Sequence, residues 1–284
     1  MNMRAIVVGI DFLNESLAAL KLAVIIAAKA NSKIVLVFVN KYDKSKPIFK
    51  TPNGKLLEEV ENRFNDIILK YSDKIPAERF FYQFREGKKI STVLNEEVKK
   101  HEADLLLIGT QGKNGFKLFS HSRAYQIIDN AKIPTVSVRD GARIAKQIKI
   151  ILIPIDDTLE TRQKIPFSVR MAKMCDAEVH LLALFHSSIQ NVRNNVERYT
   201  RQSAEYLEKN NINFVVKSLE TEEVVNETLK YANEINADAI SIMTTQISKL
   251  SNLWKGSYAE QLIDQSTIPV ITIPSKELIR TLSR

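Results

Sequence analysis

With one cysteine, Cys175, in 284 residues, the chain has no partner thiol for an internal disulfide and must hold its core without covalent staples. No apolar run exceeds the length of a strand, far short of the roughly 20 residues a membrane-crossing helix needs. The opening Met1-Asn-Met-Arg4 runs straight into a strand and lacks the long apolar stretch of a secretory leader. A lone cysteine and no export signal point to the reducing cytoplasm.

Catalytic equipment is equally scarce. The four histidines, His101, His121, His180 and His186, show no ligand spacing with cysteine or acids, so a zinc site has no support. No G-x-S-x-G, no G-x4-G-K-[ST] and no G-x-G-x-x-G after the first strand occurs. Cys175 has no neighbouring base and reads as a small core residue. Asp156-Asp157 matches the acidic pair of response-regulator receivers. Those also need an Asp after the third strand, where Leu219-Glu220 stands instead. No nucleophile, base or metal cluster can be assembled, so a non-enzyme is expected.

The formal net charge is +8, yet the basic residues are scattered among 33 acidic ones with no arginine-rich tract and no aromatic platform. A nucleic-acid partner is therefore not expected. A surface that attracts small anions, nucleotides included, is the milder implication. Hydrophobic content of 44% and charged content of 26% are those of a globular protein, long enough for two domains of about 140 residues.

What is present is said twice. Ala5-Ile-Val-Val-Gly-Ile-Asp11 recurs as Ile151-Leu-Ile-Pro-Ile-Asp156. Leu105-Leu-Leu-Ile-Gly-Thr-Gln-Gly112 is echoed by Ala239-Ile-Ser-Ile-Met-Thr-Thr-Gln246, and Pro134-Thr-Val-Ser-Val138 by Pro269-Val-Ile-Thr-Ile273. Self-similarity over half the length implies a duplicated domain, divided as 1–143 and 144–284.

Within each copy strand and helix patterns alternate. The first half reads as strands Arg4–Ile10, Lys33–Val39, Phe80–Phe84, Asp104–Ile108 and Thr135–Val138. Helices are expected over Glu15–Ala30, Leu56–Tyr71, Ile90–His101 and Ser122–Asn130. The second half repeats this with strands near 148–155, 178–184, 213–219, 238–243 and 270–273. Such alternation implies parallel βαβ units: an α/β fold of two similar open, twisted five-stranded parallel sheets with helices on both faces, Rossmann-like.

Asp11 and Asp156 are 145 positions apart but Gly109 and Met243 only 134, so the first copy carries eleven extra residues. The loop Asn40–Lys55 is their expected place. It holds Lys41, Lys44, Lys46, Lys50 and Lys55, and reads either as a solvated surface loop or as a cationic flap over an anionic ligand.

In open α/β sheets the ligand crevice lies beyond the carboxyl ends of the strands, where strand order reverses. Asp11 ends strand 1 and Gly109-Thr-Gln-Gly112 follows strand 4, so neighbouring strands would bring both to one crevice. An Asp there can accept hydrogen bonds from ribose, and glycines let backbone approach phosphate. Equally, Asp11 can cap the helix that starts a few residues later.

Strand-end Asp, the loop Gly109-Thr-Gln-Gly-Lys-Asn-Gly115, a helix and the closing Ile-Pro-Thr-Val-Ser-Val together resemble the universal stress protein domain, here as a tandem pair covering essentially the whole chain. The resemblance implies an adenine nucleotide α-hydrolase-like fold. It also implies ATP bound in many members through G-x2-G-x9-G-[ST], with Mg2+ only if nucleotide is bound. The site residues it implies are Asp11, Val39, Gly109, Gly112, Gly115, Ser122 and Arg123 in the first half, and Asp156, Gly256 and Ser257 in the second. Related adenine-nucleotide enzymes carry a serine-glycine loop after strand 1, and Asp11-Phe-Leu-Asn-Glu-Ser16 has no glycine.

Each copy departs from the nucleotide pattern differently. In the first, the expected Gly-Ser is Ser122-Arg123; Arg123 at a helix start either marks a phosphate or fills its space. In the second, Gly256-Ser257 are in place, but Met243 and Gln246 replace both loop glycines, and Asp157 adds negative charge beside Asp156. Trp254 either stacks on a base or packs on its own domain. The first copy thus suits the nucleoside end and the second an anion at the helix end.

The resemblance further implies dimerisation through last strands. Here 135–138 and 270–273 belong to one chain and are expected to pair internally, satisfying each other's open edges; a homodimer of the whole chain is also open. The function expected is a non-catalytic cytoplasmic stress-response protein that binds an adenine nucleotide in a partly degenerate site. The alternatives are a scaffold for partners whose nucleotide sites are lost and, last, a weak nucleotide hydrolase.

Overall fold

A computed structural model describes residues 3–41, 53–110, 121–244 and 257–275. Its first half runs β1 (Ala5–Ile10), α1 (Asn14–Ala30), β2 (Lys33–Lys41), α2 (Asn53–Tyr71), β3 (Phe80–Gly87), α3 (Ile90–Lys100), β4 (Leu105–Thr110), α4 (His121–Asn130) and β5 (Thr135–Arg139). The second runs β6 (Ile150–Ile155), a 3₁₀ segment Leu159–Lys164, α5 (Ile165–Cys175), β7 (Glu178–Phe185), α6 (Gln190–Lys209), β8 (Phe214–Glu220), α7 (Val224–Glu234), β9 (Ala239–Met243), α8 (Tyr258–Gln265) and β10 (Val270–Ile273).

The ten strands of the described residues form one sheet in the order β3-β2-β1-β4-β5-β10-β9-β6-β7-β8. Within each half every pairing is parallel, and β1 and β4 are direct neighbours, as are β6 and β9. The halves join through β5 and β10, which run antiparallel with Val136 opposite Ile271. The two expected sheets are therefore continuous, and each last strand covers the edge the other would leave open. The Thr272 hydroxyl adds a bond across this seam by donating to the Thr135 carbonyl at 2.9 Å.

Burial explains the sequence pattern. β1, β4 and β9 are buried along their whole length and read as unbroken apolar runs, as strands covered on both faces must. The edge strand β8 is mostly exposed. Helices α1, α2, α5 and α6 pack on one face of the sheet, and α3, α4, α7 and α8 on the other. The first helix of each half ends on a residue in the left-handed region, Asn31 at φ 55° and Asp176 at φ 55°. Asn and Asp tolerate that conformation better than other side chains.

Element starts also place the eleven extra residues. Eight fall between the starts of β2 and α2 and three between the starts of α2 and β3. Most of the surplus therefore sits where the lysine-rich loop was expected, and the rest lengthens the connection into β3. Positions 42–52 of that loop lie outside the described residues.

Candidate functional site

Strand order reverses between β1 and β4, and because the two are parallel their carboxyl ends open on the same side. Asp11 follows directly on β1 and is half-buried. Its Oδ1 accepts the Leu13 N–H at 3.1 Å, while its own N–H donates to Ser16 Oγ at 3.3 Å. Asp11 thus closes a turn into α1 with one oxygen. It is not the residue flanking the helix, which is Leu13. One carboxylate oxygen organises the helix start, and the other has no partner among the described residues. Val39 sits one position beyond the Ile10–Phe38 pair, level with Asp11, and is buried.

The residue after Asp11 was not singled out from sequence. Phe12 has φ 63°, a left-handed backbone that costs a non-glycine residue roughly 1–3 kcal/mol. That turn lays its ring over Phe38, with centroids 5.7 Å apart, and against Phe64 at 5.4 Å. Phe38 stacks in turn on Phe84 at 5.7 Å, and Arg63 lies over the Phe12 ring at 5.2 Å. The result is a half-buried aromatic ledge beside Asp11. A signal for it was available: Tyr82 and Phe84 are two apart and so share one face of β3.

Gly109 turns out to be glycine for a reason internal to the fold. A Cβ there would lie 2.4 Å from Ser16 N and 2.5 Å from the Glu15 carbonyl carbon, so the first turn of α1 rests directly on β4. The expected close approach of phosphate is not needed to explain it. Gly112 and Gly115 lie outside the described residues, as do Trp254 and Gly256. Ser122 and Arg123 fall in the first turn of α4, and their side chains lie outside the described residues too.

The second half has the same scaffold with different contents. Asp156 N–H donates to Thr161 Oγ1 at 3.3 Å and Asp156 Oδ1 accepts the Thr158 N–H at 3.1 Å, matching Asp11, Ser16 and Leu13. Met243 replaces Gly109 and is fully buried. An α-helical turn cannot lie as close to a residue that carries a side chain. Positions 159–164, which correspond to 14–19, accordingly form the 3₁₀ segment, and the α-helix starts only at Ile165.

That segment carries Lys164 where the first half has Ala19, and both are fully buried. Lys164 Nζ donates to Thr161 Oγ1 at 3.0 Å. Burial pulls its ammonium down to about 7, against the opposing pull of the Asp156 charge. Asp156 is itself fully buried and its Oδ2 accepts no hydrogen bond. Where the first half leaves Asp11 half open, the second encloses its acid with a lysine.

Ser257 caps its own helix. Its Oγ accepts the Glu260 N–H at 3.2 Å and its N–H donates to Glu260 Oε2 at 2.6 Å, a reciprocal capping box. A carboxylate therefore stands where an anion was expected. Tyr125 of α4 reaches the same place from the first half and hydrogen-bonds the Ser257 side chain. Burial raises the Tyr125 phenol above its ordinary value despite that bond, with Glu260 and Asp129 adding to the rise.

Among the described residues two further titratable groups are engaged within the fold. Cys175 is buried and its thiol is pushed up to about 11 by desolvation, with Lys29 opposing. His180 is held by Tyr231 Oη and Glu178 Oε1, each at 2.9 Å. Among the described residues no group of three or more His, Cys, Asp or Glu could hold a metal ion, and no helix is long and apolar enough to cross a membrane.

Comparison with known proteins follows the same division. The model of the universal stress protein family matches twice, over residues 2–139 and 147–274. No curated protein matches the chain. Among solved structures, a universal stress protein from Archaeoglobus fulgidus is 15% identical, with a TM-score of 0.70 over 96% of this chain and 99% of that one. A putative universal stress protein from Pseudomonas aeruginosa is also 15% identical, with a TM-score of 0.65 over 99% of this chain and 96% of that one. A shorter universal stress protein from Archaeoglobus fulgidus, solved in complex with dAMP, is 17% identical and covers 44% of this chain at a TM-score of 0.36.

Proposed function

Because the chain belongs to the universal stress protein family through both of its halves, we propose that it is a non-catalytic cytoplasmic stress-response protein whose first domain, residues 1–143, takes an adenine nucleotide, while the second, 144–284, has a closed site. The observation that carries this reading is the contrast between the two strand-end acids. Asp11 is half-buried with one oxygen engaged, whereas Asp156 is wholly buried above Lys164. A carboxylate with an unengaged oxygen can accept a ribose hydroxyl. The Phe12–Phe38–Phe84 ledge beside it suits a base, since aromatic stacking tolerates any purine. Glycines 112 and 115 and Arg123 would serve the phosphates. Mg2+ would enter only with them, since the described residues supply no metal cluster.

In the second domain three features oppose a nucleotide: the Lys164 side chain, the Met243 side chain and the Glu260 carboxylate at the start of α8. A structural role for this half follows, holding the first through the β5–β10 seam. Hydrolysis is the weaker reading because the described residues of neither half bring a group of metal ligands to the strand-end acid.

The test is a melting curve of the intact chain with ATP and magnesium, together with identification of what elutes on denaturation. Binding to the folded state should raise the melting temperature by mass action. No shift at millimolar ATP, and no nucleotide released, would leave only a scaffold.

A further inference from the structure

We propose that the cleft between the two halves on the α1–α5 face binds one small amphiphilic anion: an apolar chain or ring ending in a carboxylate, sulfonate or phosphate. The cleft has a volume of about 750 Å3, within the range of roughly 300–1,000 Å3 that small-molecule sites occupy. Lys29, Ala30 and Pro134 come from the first half and the rest of its wall from the 3₁₀ segment, α5 and the C-terminal end of α6, so the site exists only because the halves are paired. It shares no residue with the strand-end sites of Asp11 or Asp156.

Its walls divide by chemistry. Pro134, Phe167, Met174 and Tyr206 give apolar surface, while Lys29, Arg170 and Lys173 are the charged groups, and no acid lines it. None of the three cations takes part in an ion pair among the described residues. Lys173 donates to Asn210 Oδ1 at 2.9 Å, a neutral partner. The Arg170 guanidinium lies on the Phe167 ring at 5.0 Å, and its Nε is buried without a hydrogen-bond partner. An unpaired buried donor is costly, and an anion would satisfy it. Lys29 is near enough for its charge to act on Cys175 at the end of α5, which brings a second cation to the same wall. Three positive charges without ion-pair partners among the described residues, sharing a cleft with apolar side chains, select a ligand with both an anionic head and an apolar body.

Isothermal titration of the intact chain with submicellar decanoate at near-neutral pH tests this. One decanoate should bind per chain, at least about ten-fold tighter than decan-1-ol, which has the same chain without the charge. Lys29→Glu combined with Lys173→Glu changes two exposed lysines, leaves the core intact, and should weaken decanoate by about ten-fold or more. Asp11→Asn should leave decanoate binding unchanged, and ATP should not displace it. These last two arms separate this site from the proposed nucleotide site, so either can fail alone. Absence of saturable binding overturns the proposal. So does equal affinity for decan-1-ol, equal affinity for inorganic phosphate alone, indifference to the double charge reversal, or displacement by ATP.

Discussion

Asp156 and Lys164 share one hydroxyl: Thr161 Oγ1 accepts from the Asp156 N–H and from the Lys164 ammonium, and both charged side chains are fully buried. The lysine's folded value of about 7 lies below its ordinary 10.5. Between these two values the unfolded chain holds a proton that the folded chain has released. Stability should therefore rise with pH across that window, by at most about 1.4 kcal/mol per pH unit, and this group should add no slope below it. Lys164→Met should remove the slope. Urea midpoints of both proteins between pH 6 and 10 read this difference, because every other titrating group is common to them. Parallel profiles would show that the ammonium stays charged in the fold.

The two strand-end acids should part company in nucleotide binding. Asp11→Asn is expected to weaken ATP by about ten-fold or more, the worth of a hydrogen bond to a charged group. Asp156→Asn should leave ATP affinity unchanged and lower stability instead at pH 6, where Lys164 is still an ammonium and loses its counter-charge. Titration calorimetry and urea melts on the two variants separate these outcomes; an equal loss of affinity would place nucleotide in both halves.

Gly109→Ala is expected to cost about 1–3 kcal/mol, because the new Cβ meets α1 backbone rather than a yielding side-chain tip. Met243→Ala should cost about 2–5 kcal/mol for the opposite reason, a cavity beneath the 3₁₀ segment. Both are read from denaturation midpoints. A neutral Gly109→Ala would mean that the start of α1 can lift off β4.

Ser257→Ala should lose about 1 kcal/mol of stability with the capping box, and nucleotide affinity should not change. Loss of ATP binding in this variant, with stability intact, would assign Ser257 to a ligand rather than to its own helix.

The fold was legible because its evidence is periodic and repeated. Buried parallel strands leave apolar runs, and two copies of each run, the first pair ending in Asp11 and Asp156, made the element order readable; that β1 and β4 are neighbours, a condition of the sequence reading, comes from the pairing itself. The contents of the site were less legible, since they depend on what approaches from elsewhere in the fold. Gly109 reads in sequence as a phosphate glycine, and only packing shows that α1 claims the space. Lys164 is one lysine among many until the 3₁₀ segment turns it inward. Ser257 fits a phosphate motif and a capping box equally well by type, and Glu260 three residues on was the sign that decides for the cap. Phe12 gave no local signal, because its ring meets Phe38 and Phe64 from other elements and a left-handed backbone is not expected of a phenylalanine.

The β5–β10 seam has a consequence for how such a molecule can diverge. Subunits encoded by one gene change in step, so a lysine that shuts one pocket shuts its twin. Tethered halves escape that rule and remain assembled at any dilution, because each always finds its mate within the same polypeptide. Covalent linkage thereby allows one side to become pure framework while the other keeps an opening.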